Sequence, residues 1–403
     1  MFQVIQLEVI DFDSDKNANR IFKTFLCYEN NYGLLEPHIL TKYIEINFGL
    51  YEINTQKKYA EEVKKFMNYL LSLNKITSLS EIRLQHGADY LKTLSTKVSK
   101  GELKSSSFYY SEKRLIHFYE WLVMNELIDE EITLVKRENI YSSFKKIYTI
   151  SPFSRLDLGV PRPTNRNKQT INRLHDFGNT RDKYVLEFLD IIELIEPHIL
   201  LGVLLQIYGG LRMGEVLNLN TTDVFIVKKW SNQPSKVLIK DNWLKSNEFN
   251  MRLDMQVKRE REQLILATDI LQEVYQNHLI KLEKFRKNYT GPLIINLKNG
   301  KRISGQTYRN KFNKVRDLFI KLVEKRTDAK EFYYYLTNKK WSTHICRGIF
   351  TNMLKNDLNF SDSEIRVLRG DLSEETLKIY LEKNNAIHRI NEGIELLNKK
   401  LRR

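Results

Sequence analysis

Cysteine is nearly absent: Cys27 and Cys346 are the only two in 403 residues. Two thiols cannot build a disulfide framework or a thiolate zinc site, so a reducing compartment is expected. Long apolar runs are missing as well. No stretch of eighteen apolar residues occurs, so no membrane-spanning helix is expected. The opening residues, M-F-Q-V-I-Q-L-E-V-I-D, have no basic region ahead of an apolar core and no cleavage site, unlike a signal peptide. These absences imply a cytoplasmic protein without a membrane partner. Proline and glycine are scarce, at 7 and 16 residues, while Lys, Asn and Ile are plentiful. An A·T-rich coding sequence would produce the same bias, so nothing functional is drawn from it.

What the chain does have is positive charge. There are 65 Lys+Arg against 50 Asp+Glu, a formal net charge of +15. That excess favours a polyanionic partner, above all nucleic acid. The length suits two or three domains, and a 42% hydrophobic content allows real cores.

The last quarter concentrates the chemistry. His344 and Arg347 stand three apart in T-H-I-C-R-G-I-F, which puts them on one face of a helix. Tyr380 follows in L-S-E-E-T-L-K-I-Y-L, where Ser373 suits an N-cap and Glu374 and Glu375 suit the positive end of a helix dipole. A cation, an imidazole and a phenol in one block point to phosphate chemistry with a tyrosine nucleophile. One arginine cannot hold both non-bridging oxygens of a phosphodiester. Arg212, in Y-G-G-L-R-M-G-E-V-L-N-L, is the second cation. Cys346, inside the same turn as Arg347, reads as a small buried hydrophobe rather than a nucleophile.

G-L-R-M-G-E-V-L-N-L at 210–219, H-I-C-R at 344–347 and a tyrosine thirty-three residues on resemble the tyrosine recombinase (phage integrase) family. The resemblance spans Leu186 to Leu381 and extends more weakly to a helical region near 55–128. Neither short motif is specific alone; their order and spacing together are. The fold it implies is mainly α with a small β-sheet (α+β), a helical core-binding domain plus a catalytic domain clamping DNA in a C shape. The expected segments are 1–50 of unclear role, 51–128 core-binding, 129–183 linker, 184–382 catalytic and 383–403 a tail helix.

The residues between the motifs fit that outline. Tyr59, Val63, Phe66 and Leu70 form one helical stripe. Ile82, Leu84, Tyr90, Leu91 and Leu94 mark a second helix, and Leu115, Phe118, Tyr119 and Leu122 a third over Tyr110–Met124. Residues 1–50 are partly strand-like, with a polar turn at Asp11–Asn19, and read as a cover for the next domain or an extra contacting arm. Pro152, Pro161 and Pro163 argue against a packed core in 129–183, although Ile132–Ile150 could add a short helix to the first domain. Pro197 opens a helix whose nearly all-apolar run, Ile199–Ile207, is buried, and Gly209 and Gly210 close it. Val237–Ile239, Phe249–Val257 and Glu262–Leu266 read as strands. Residues 281–326 hold fourteen Lys/Arg and three Asp/Glu, and a helix over Thr307–Val323 would turn that charge towards DNA. Its aromatics are expected in the core. The charged insertion Lys325–Lys340 has no account from sequence. The tail stripe Ile390, Ile394, Leu397 and Leu401 packs at home or docks on a neighbour.

The resemblance assigns roles. Tyr380 would attack a phosphodiester of double-stranded DNA to form a 3′-phosphotyrosyl bond, with no metal or cofactor. Arg212 and Arg347 would grip the non-bridging oxygens, His344 would bond the phosphate or help remove the tyrosine proton, and a lysine in the sheet's hairpin turn would protonate the leaving oxygen. Lys258, just ahead of R-E-R-E-Q-L-I-L, is the first choice for that lysine and Lys245 the rival. Glu215 would orient Arg212, unless it forms only an ordinary surface pair. Assembly would be a tetramer on DNA with the tail helix exchanged, sometimes with a directionality factor. Two positions depart from the pattern. Asp371 stands after Gly370 where His or Trp is usual, and Gly348 stands where a second His is common. The leading expectation is a site-specific recombinase of a phage, transposon or conjugative element. A recombinase-derived DNA-binding protein without strand cleavage and a type IB topoisomerase are the alternatives.

Overall fold

The structure is a computed structural model. It describes residues 1–12, 18–73, 76–130, 132, 135–139, 146–163, 174–227, 234–242, 255, 257–371 and 383–401. The chain is mostly helical with small antiparallel sheets and divides into two compact units, Met1–Lys168 and Gln169–Arg403.

The first unit opens with a long hairpin. Strand β1 (Phe2–Phe12) pairs antiparallel with β2 (Ala18–Glu29), Phe2 opposite Tyr28 and Phe12 opposite Ala18. A short β3 (Leu35–Pro37) adds to β2. Four helices follow: α1 (Thr41–Phe48), α2 (Ile53–Ser72), α3 (Leu84–Ser99) and α4 (Ser105–Met124). On α2 the buried Val63, Phe66, Met67 and Leu70 recur every three or four residues, so one stripe faces the core. The base of the hairpin closes on that helix. Asn68 accepts from the Phe2 N–H at 2.8 Å and donates to the Phe2 carbonyl at 3.0 Å, and Phe2 and Leu26 are buried. The base of the hairpin, at Phe2 and Leu26, therefore covers the bundle at this end. Farther out on β1, Leu7 and Ile10 are exposed.

The proline-containing stretch 151–163 is packed, contrary to what its composition suggests. Phe153 and Leu158 are buried in the core of this unit. Pro161 and Pro163 offer their carbonyls to Ser95 and Tyr109, at 2.8 and 3.0 Å, and Arg162 pairs with the buried Glu112. Prolines that accept but do not donate suit such lines of one-way bonds. Before them, β4 (Lys136–Asn139) and β5 (Lys146–Thr149) make a two-stranded hairpin where a helix was an option. Residues 164–173 lie outside the described residues.

The second unit is built round α6 (Leu200–Gly209), all ten residues of which are buried. Pro197–Ile199 forms a 3₁₀ turn leading into it. Gly210 ends it at φ +64°, a left-handed turn that a residue without Cβ adopts freely. Around α6 lie α5 (Arg181–Ile195), α7 (Met213–Asn218), α8 (Asp269–Glu283) and α9 (Gly305–Glu324). Tyr308, Phe312 and Phe319 of α9 are buried, as core residues.

The sheet is three-stranded and antiparallel, but its first strand is β6 (Val224–Phe225), followed by β7 (Lys236–Ile239) and β8 (Arg261–Leu264). Phe249–Val257 supplies no described strand. Met255 and Val257 are its described residues and both are buried. The insertion after α9 contains α10 (Lys330–Thr337). Its Phe332 stacks on Tyr184 of α5, ring centroids 3.5 Å apart and planes 8° apart, which fastens it to the core.

The chain ends with α11 (His344–Asn352), a π-turn over Met353–Asp357, α12 (Asp362–Leu368) and the tail helix α13 (Lys383–Leu401). The tail lies on its own unit. Ile390 and Leu397 are buried, the Asp269 N–H donates to Asn398 at 2.8 Å, and Lys400 pairs with Asp357 at 3.1 Å. No described helix is long and apolar enough to cross a membrane.

Candidate active site

Arg212 is the N-cap of α7, immediately after the turn that ends α6. A helix N-terminus already favours an anion. Its direction is set by Glu215 one turn later. Arg212 donates from its backbone N–H to Glu215 Oε2 at 2.7 Å and from Nη1 to Oε1 at 2.8 Å. Glu215 is 1% exposed, so this is a buried support rather than a surface pair.

A second arginine shares that support. Arg261, the first residue of β8, donates from Nη1 to the same Oε1 at 2.9 Å. Its Nε and Nη2 both donate to Gln263 Oε1, at 2.9 and 2.7 Å. The Gln263 amide in turn donates to the carbonyls of Gly209 and Leu368. Burial pushes the Glu215 carboxyl up, but the hydrogen bond and charge of Arg261, with the N–H and charge of Arg212, outweigh it. Its pKa is held below the ordinary carboxylate value.

Arg347 enters from α11 and is 5% exposed. It donates from Nη1 to the Gly210 carbonyl and from Nη2 to the Arg369 carbonyl at 2.8 Å, tying α11 to the end of α6 and to the turn after α12. Burial, with Arg212 nearby, pushes its pKa down to about 10, against the opposing pull of Asp371.

The two arginines meet at Asp371. Arg212 Nη2 donates to Asp371 Oδ1 at 2.8 Å, and Arg347 Nη2 donates to the same oxygen at 2.6 Å. Arg369 Nε stands 3.1 Å from Oδ2. The structure thus joins Arg212, Glu215, Arg347 and Asp371 in one bonded cluster. His344 is the first residue of α11 and is exposed. Lys258 is exposed in the β7–β8 connection, three residues ahead of Arg261. Lys245 and Tyr380 lie outside the described residues. Cys346 is fully buried and its thiol is pushed up by burial, so it stays a neutral hydrophobe.

Sequence reasoning missed Arg261, Gln263 and Arg369. A signal existed for the first two. They alternate on a strand, so they share one face, and that face is buried at Gln263.

Gly348 also has a local cause. A Cβ there would collide with the His175 backbone carbonyl, 2.9 Å from its carbon and 3.1 Å from the Cα. A histidine cannot fit at this position without moving that segment.

No family model and no curated protein matches the chain. Solved structures do. An integrase of transposon Tn1549, in complex with circular-intermediate DNA, aligns over 87% of this chain and 98% of its own, at 13% identity and a TM-score of 0.48. Lambda integrase bound to DNA aligns over 87% and 95%, at 12% identity and 0.49. The XerA recombinase aligns over 90% and 98%, at 18% identity and 0.32. All three are tyrosine recombinases. At such identities and scores, what this chain does has to be read from its own side chains.

Proposed function

We propose that this chain cuts and rejoins DNA strands through a covalent tyrosine–phosphate bond, as a site-specific recombinase of a mobile element. The supporting observation is the convergence of Arg212 and Arg347 on a single anionic oxygen, at 2.8 and 2.6 Å. Two guanidiniums fixed by a buried carboxylate and by backbone carbonyls are preorganised donors for a phosphodiester.

In this reading the Tyr380 oxygen attacks phosphorus and the bond to the 5′ oxygen breaks. A 3′-phosphotyrosyl link and a free 5′-hydroxyl result. Arg212 and Arg347 hold the non-bridging oxygens as charge grows on them, each worth about 3 kcal/mol. His344 bonds the phosphate or takes the phenol proton. Lys258, or Lys245, gives a proton to the leaving oxygen. Attack by another strand's 5′-hydroxyl reverses the step, releases the tyrosine and needs no nucleotide cofactor. The basic run 281–326 lies along the DNA backbone. Four copies assemble on two duplexes, exchanging the α13 contacts between neighbours.

A second reading, DNA binding without cleavage, draws support from Asp371, whose carboxylate already lies between the arginines. Covalent trapping separates the two. The substrate is a nicked duplex carrying the ends of the encoding element, and products are resolved on a denaturing gel. The recombinase reading expects an adduct with the unaltered chain, none with Tyr380→Phe, and at least a hundredfold less with Arg347→Ala. DNA binding by the unaltered chain with no adduct would establish the second reading.

A further inference from the structure

We infer that the Asp371 carboxylate occupies the seat of the scissile phosphate, and that a phosphodiester enters by displacing it. This rests on Arg212 and Arg347 being the phosphate grip. Asp371 Oδ1 takes hydrogen bonds from both, and Oδ2 faces Arg369 Nε at 3.1 Å. Three guanidiniums on one small planar anion is the geometry that arginines adopt round carboxylates and phosphates alike.

The carboxylate is aimed there by its backbone. The Asp371 N–H donates to the Arg366 carbonyl at 2.9 Å, Gly370 turns the chain at φ +63°, and Arg347 holds the Arg369 carbonyl at 2.8 Å. The side chain is 28% exposed, so it can swing out towards solvent. A carboxylate and a phosphodiester each carry one negative charge, and the exchange leaves the local charge unchanged.

Asp371 therefore acts in two ways. Without DNA it keeps Arg212, Arg347 and Arg369 from repelling one another. Against DNA it sets a threshold, because a phosphate held only loosely loses the competition. The ligand of the seat is a phosphodiester or another tetrahedral oxyanion.

Inorganic phosphate is the probe, and its affinity is measured by titration calorimetry and by its effect on thermal melting. Asp371→Ala is expected to bind phosphate at least tenfold more tightly than the unaltered chain and to form more adduct on the nicked duplex. The gain is expected to vanish in Asp371→Ala/Arg347→Ala. Asp371→Asn preserves the side-chain shape and should show a smaller gain of the same sign, so the test survives if the alanine variant does not fold. Phosphate affinity that is unchanged or lower in both Asp371 variants, while Arg347→Ala alone weakens it, overturns the inference and leaves the phosphate grip standing. If Arg347→Ala changes neither phosphate affinity nor adduct yield, the grip itself is wrong and the inference falls with it.

Discussion

Gly348 lies against the backbone carbonyl of His175, with no room for a side chain between them. Packing thus leaves no room at this position for the second histidine of the pattern the sequence resembles. Restoring a histidine there will not improve the site. Gly348→Ala is expected to lower stability by about 1–3 kcal/mol, the usual cost of overpacking, and Gly348→His by more. Thermal melting of the two variants checks both the sign and the order.

Arg261 donates to Glu215 and Gln263, and it shares Glu215 Oε1 with Arg212. Arg261→Lys keeps the charge but cannot span Glu215 and Gln263 together. Adduct formation is expected to fall at least tenfold while affinity for the duplex changes less than threefold. Equal losses in both would mark Arg261 as a DNA contact instead.

Glu215 contributes to the acid side of the stability profile. Its folded pKa lies below the ordinary carboxylate value, so its contribution is fully present above that value and is lost as pH falls through the folded pKa. Melting temperature should be flat with respect to Glu215 near neutral pH and drop below about pH 4.5. Glu215→Gln is expected to cost about 3 kcal/mol at pH 7, since two cations lose their shared partner. It should also show a shallower acid decline.

The tail offers a separate test. Leu397 is buried in the core of the second unit, and truncating it to alanine should cost about 2–5 kcal/mol. If the tail is exchanged between copies, that loss should appear as a weaker self-association on DNA, seen by sedimentation. If it stays at home, only the melting temperature moves.

The pairing of Arg212 with Glu215 was legible because the two are close in sequence. Arg212 and Glu215 sit one helical turn apart, and the spacing alone suggests that one orients the other. The apolar run of α6 announced its own burial. What could not be read are the long-range pairings. Arg212 meets Asp371 across 159 residues, and Glu215 meets Arg261 across 46. Composition misled at 151–163, where prolines dock through their carbonyls and Phe153 fills the core. The hairpin β4–β5 escaped because four-residue strands carry too little alternation to outvote a helical pattern.

The sharing of Glu215 has a consequence for timing. Arg261 begins the strand that follows Lys258, and the carboxylate that anchors Arg261 also anchors Arg212. On the proposed assignment, the connection carrying Lys258 and the phosphate-binding Arg212 are anchored on one carboxylate. A copy whose β7–β8 connection is drawn aside by a neighbour would lose both at once. In the proposed recombinase, a subunit would then gain or lose the support of Arg212 and of the strand that follows Lys258 together.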